Sequence, residues 1–69
     1  MLFTDLSSER LIRALHKAGF RVIQEGKHVG LSDGFHRLTI PRHKRLNPYT
    51  VKAIIRHAGL TDHQFQELL

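Results

Sequence analysis

Residues 20–41 read FRVIQEGKHVGLSDGFHRLTIP, and the fold turns on how they are divided. Phe20 to Glu25 is rich in β-branched and aromatic residues and partly alternates, which predicts a first strand. Gly26 breaks it. His28 to Ser32 predicts a second strand, with Val29 and Leu31 on one face and His28, Gly30 and Ser32 on the other. Asp33-Gly34 is a two-residue hairpin signal, because both positions tolerate positive φ. Phe35 to Ile40 follows as a third strand, His36, Leu38 and Ile40 on one face, Phe35, Arg37 and Thr39 on the other. Pro41 has no N–H to give a ladder and ends it.

Helical patterns lie on both sides. Ser7-Ser8 supplies hydroxyl caps ahead of Glu9, and Leu11, Ile12, Leu15 and Ala18 recur at helical spacing up to Gly19. Downstream, Asn47-Pro48 is an N-cap followed by proline at the first helical position, and Val51, Ile54, Ile55 and Ala58 form the stripe of a second helix ended by Gly59. Thr61 and Gln64 fit a capping box that opens a short last helix burying Phe65, Leu68 and Leu69. The order is α-β-β-β-α plus a terminal helix: an α+β domain spanning residues 1–69, a small antiparallel sheet with the helices on one face and the other face partly free. Lys17-Ala18-Gly19-Phe20 and His57-Ala58-Gly59-Leu60 read as one helix-stop device used twice.

Composition narrows the function. Eleven Lys and Arg oppose six Asp and Glu over 69 residues, a formal charge of +5, and the excess clusters in Arg42-His43-Lys44-Arg45. A basic cluster on so short a chain favours a polyanionic partner, nucleic acid first. The chain has no cysteine, which excludes disulfides and thiolate metal sites and fits a reducing compartment. No apolar run approaches the ~18 residues of a membrane span. The opening MLFTDLSSER lacks the charged and apolar regions of a signal peptide, so the expected location is the cytoplasm, with no membrane association.

Chemistry is concentrated in residues 26–45. A neutral imidazole can take a proton from an RNA 2′-hydroxyl, and His28 is expected on the open sheet face beside a gap left by Gly30. Lys27 and Arg37 are the cations placed to stabilise charge on phosphate oxygens, and Arg42, His43, Lys44 and Arg45 to hold a nucleic-acid backbone. On the residues alone, the plainer reading of His28 as a polar residue on a solvated strand is the stronger one. His36 is expected at the core margin, and His16, His57 and His63 on the surface. The histidine spacing offers no metal site and no HExxH, and the carboxylates form no readable catalytic pair. No cofactor is called for.

Several pieces in order carry a family resemblance: Lys17-Ala18-Gly19-Phe20 at a helix end, Gly26-Lys27-His28, the turn glycine Gly34, Ile40-Pro41-Arg42-His43, and Ala58-Gly59-Leu60-Thr61 with Phe65 and Leu68-Leu69. Over nearly the whole chain this resembles the HicA-like (YcfA-like) toxins of type II toxin–antitoxin systems. The resemblance implies a double-stranded-RNA-binding-domain-like fold and a metal-independent endoribonuclease that cleaves mRNA, restrained by a HicB-type antitoxin. It implies that His28 is the catalytic histidine, which reverses the weighting above. Lys27 stands where the family carries serine, and Tyr49-Thr50 where it carries Gly-Thr. The competing expectation is a non-catalytic double-stranded RNA-binding module of the same fold.

Overall fold

The helix-stop device is visible as hydrogen bonds. The computed structural model describes residues 2–69, with α1 (Ser8–Lys17), β1 (Arg21–Gln24), β2 (His28–Ser32), β3 (Arg37–Pro41), α2 (Pro48–His57) and α3 (Asp62–Leu68) in that order. At the end of α1, Phe20 N–H reaches back to the Leu15 carbonyl and Gly19 N–H to that of His16; at the end of α2, Leu60 and Gly59 bond Ile55 and Arg56 in the same pattern. Both are Schellman motifs, the helix carbonyls closed off by the two residues after the cap. The starts also follow the sequence: Ser7 caps α1 and Asn47 caps α2, with Pro48 at its first position. Thr61 and Gln64 form the reciprocal capping box of α3.

The sheet is antiparallel in the order β1-β2-β3. Val29, Leu31, Leu38 and Ile40 are buried against Leu11, Ala14 and Leu15 of α1, Val51, Ile54 and Ile55 of α2, and Phe65 of α3, in one hydrophobic cluster. The helices therefore cover one face of the sheet. Phe65 is fully buried and meets Phe3 edge-on, ring centroids 5.0 Å apart.

The structure departs from the sequence reading in several details. Ala14 joins the buried stripe of α1, and Leu69 is exposed. The strands at the sheet edges are shifted: β1 is shorter than residues 20–25, and β3 starts at Arg37 and includes Pro41, which pairs with His28. The β2–β3 reversal falls on Gly34-Phe35, one residue later than Asp33-Gly34, since Ser32 pairs with Arg37 and Asp33 N–H bonds the His36 carbonyl. Asp33 instead braces the turn, its Oδ1 accepting from the N–H groups of Phe35 and His36. Finally, β1 is irregular: Val22 pairs with Leu31 but Gln24 with Gly30, so Ile23 is an extra residue, a β-bulge.

Candidate functional site

Because Val29 and Leu31 enter the core, His28, Gly30 and Ser32 look away from the helices. Residues directly opposite on neighbouring strands share a face, so the pairing extends this face across the sheet. Arg21, Ser32 and Arg37 make one cross-strand row, Gln24, Gly30 and Thr39 the next, and His28 with Pro41 the third. A hollow of about 380 Å³ lies over the last two rows, lined by Gln24, Gly26, Lys27, His28, Gly30, Arg37 and Thr39.

The fold thus brings Lys27, His28 and Arg37 to one place, from the β1–β2 turn, the start of β2 and the start of β3. His28 is exposed there. Neither Lys27 nor Arg37 makes an ion pair or a side-chain hydrogen bond among the described residues, so both cations are free to meet an anion. Thr39 and Gln24 also line the hollow, and sequence reasoning did not count them as site residues. Thr39 had a usable signal, its shared face with Arg37. Gln24 had none: strict alternation would put it on the core face with Val22, and only the bulge at Ile23 turns it outward.

The gap expected at Gly30 is not open. A Cβ there would lie 3.2 Å from Gln24 Cβ and 3.6 Å from Ile23 Cγ1. The missing side chain receives the bulge of the neighbouring strand.

The basic loop divides between two tasks. Arg42 Nε donates to the Gly26 carbonyl at 2.6 Å, and its Nη2 lies 3.9 Å from a Glu25 carboxylate oxygen. It ties the loop after β3 to the turn that carries Lys27 and His28. Arg45 pairs with Asp5 at 3.1 Å. The His43 carbonyl accepts from both the N–H and the hydroxyl of Ser8, fixing the loop to the start of α1. Arg42, His43 and Lys44 line a second, separate hollow with Ser7, Ser8 and Glu9. So of the expected nucleic-acid-binding residues, Lys27 and Arg37 sit beside His28, whereas His43 and Lys44 sit at the head of α1.

His36, expected at the core margin, is exposed, its side chain 45 % accessible, and touches the core only through its ring, tilted against Phe20 with centroids 6.4 Å apart. Its Nδ1 lies 3.1 Å from Asp33 Oδ2. Asp33 itself is held well below the usual carboxylate range, to about 2, chiefly by the His36 backbone N–H, with the Phe35 N–H and the His36 ring adding to it. Each of these favours the charged carboxylate. Among the described residues no three His, Asp or Glu side chains gather into a metal-ligating group, and no helix is long and apolar enough to cross a membrane.

Against known proteins, the model of one family, described as the HicA toxin of bacterial toxin–antitoxin systems, matches residues 8–60, which include all three strands, both longer helices and every residue of the His28 hollow. No curated protein and no solved structure matches the chain.

Proposed function

We propose, since this chain belongs to the HicA toxin family of bacterial toxin–antitoxin systems, that it is a metal-independent endoribonuclease acting on mRNA in the cytoplasm, with His28 as its general base. The observation that supports this most directly is an exposed histidine sharing one hollow with two unpaired cations, inside the stretch that matches the family. Neutral His28 accepts the proton of a ribose 2′-hydroxyl, and the 2′-oxygen attacks the adjacent phosphorus. The bond from phosphorus to the 5′-oxygen breaks, that oxygen takes a proton from water, and His28 returns its own to solvent. The products are a 2′,3′-cyclic phosphate and a 5′-hydroxyl. Lys27 and Arg37 stabilise the charge that builds on the non-bridging oxygens. The need for a 2′-hydroxyl makes the substrate RNA and not DNA. The antitoxin partner that the family implies is taken to be of HicB type.

The test is cleavage of RNA in EDTA by the wild type and by His28→Ala, with folding checked by circular dichroism. The expected result is cleavage by the wild type and a loss of about a hundredfold or more in the variant, as removal of a general base gives, with RNA affinity and fold retained. Equal cleavage by both would overturn the role of His28. A folded wild type that binds RNA and leaves it intact would replace the enzyme with the binding module.

A further inference from the structure

Phe35 is the side chain most at odds with its surroundings. It is 92 % exposed, at the tip of the β2–β3 hairpin, and large apolar groups leave water unless something else is gained. Its backbone is firmly held. The N–H groups of Phe35 and His36 both donate to Asp33 Oδ1, and Gly34 N–H donates to Ser32 Oγ. The ring is therefore displayed on a braced turn, so little backbone freedom remains to be lost on binding.

Next to it runs the cross-strand row Arg21–Ser32–Arg37. Neither arginine has a partner among the described residues, and Asp33, which follows Ser32 of this row, is already engaged by the Phe35 and His36 N–H groups and the His36 ring. The row is continuous with the His28 hollow, which Arg37 also lines. From Ser32 back to His28 is four residues of strand, about 13 Å. From the hairpin tip inward, an exposed aromatic ring is followed, along the open sheet face, by free guanidinium groups and then a histidine.

Single-stranded nucleic acid repeats the two features this order would meet, a backbone phosphate and a base with both π-faces available. A duplex keeps its bases stacked and offers none to Phe35. Resting on the reading of the His28 hollow as the RNA site, we propose that the open sheet face is a track for single-stranded RNA. Phe35 stacks on a base a few nucleotides from the cut, and Arg21 and Arg37 hold the phosphates between. Arg21 and Phe35 are in this view positioning residues that set which stretch of RNA is presented to His28.

The experiment uses the non-cleaving His28→Ala protein and fluorescence anisotropy with a labelled single-stranded oligoribonucleotide of about eight nucleotides, alongside the same strand paired to its complement. Adding Phe35→Ala should weaken single-strand binding about tenfold and leave duplex binding unchanged. Adding Arg21→Ala should reduce the slope of log affinity against log salt by about 0.7, one phosphate contact. The chain has no tryptophan, so Phe35→Trp provides a single reporter whose emission should be quenched as RNA stacks on it, with affinity retained. Unchanged single-strand affinity in Phe35→Ala, unquenched emission in Phe35→Trp, or tighter binding of the duplex would each overturn the track, the first of these pointing to a protein contact at the tip. If the wild type cuts RNA through His28 while Phe35→Ala binds normally, the track fails and the ribonuclease stands. If the Phe35 and Arg21 effects appear but no cleavage does, the reverse holds.

Discussion

Asp33 lies outside the strands, yet it organises the hairpin that joins two of them. Its carboxylate accepts two backbone N–H groups and the His36 ring, and those donors hold its pKa at about 2. The folded value is below the unfolded one, so the group adds stability that is fully present above the ordinary carboxylate pKa of about 3.9 and is lost as pH falls through about 2. Asp33→Ala should therefore melt at a lower temperature than the wild type at pH 7, and the gap between the two should close between pH 4 and pH 2. Parallel thermal melts across that range check it; a gap independent of pH would mean that the side chain acts by something other than its charge. Aspartate in that place was legible as a turn signal. Its actual role was displaced by one residue, because the choice between Asp33-Gly34 and Gly34-Phe35 depends on strand register, which is fixed by the core face of β3 and not by the turn itself.

Elements were the most legible level. The caps at Ser7, Asn47 and Thr61 and the twin stops at Gly19 and Gly59 depend on contacts within a few residues, so their chemistry can be read from neighbours in the chain. The two stops differ in one respect that only packing reveals. Gly19 (φ +100°) has open space where a Cβ would be, whereas a Cβ on Gly59 (φ +77°) would lie 3.1 Å from His36 Nε2. Alanine in the left-handed region costs roughly 1–2 kcal/mol at either site. Gly59→Ala should cost more than Gly19→Ala, because it must also push the His36 ring off its place beside Asp33 and Phe20. Urea titrations of both variants measure the difference, and equal losses would show that the ring moves freely. The candidate site was partly legible for the same physical reason. His28 and Arg37 follow from simple alternation along β2 and β3, and Lys27 from its place beside His28 in the chain, but Gln24 depends on a bulge, and the duty of Arg42 depends on a carbonyl sixteen residues away. Interactions that skip along the chain leave no periodic trace in it.

For the whole molecule, one small core carries everything, and α3 is part of it. Phe65 is fully buried and sits against Phe3 and the two longer helices' side of the cluster, so Phe65→Ala should cost about 3–5 kcal/mol. A domain of this length has a total of only roughly 3–10 kcal/mol. The variant should melt well below the wild type by circular dichroism, with RNA binding lost as it unfolds; an unchanged melting temperature would mean that α3 is an appendage. The open face, by contrast, contributes little burial, and its residues are free to vary without endangering the core, with one exception. Gly30 and Gln24 meet through atoms that cannot swing aside, Cβ against the place of a Cβ. In the descent of this chain the two positions are thus coupled: a side chain gained at 30 brings a Cβ to 3.2 Å from that of Gln24, and β1 must give by a few tenths of an ångström at its bulge, the same stretch that turns residue 24 into the histidine's hollow.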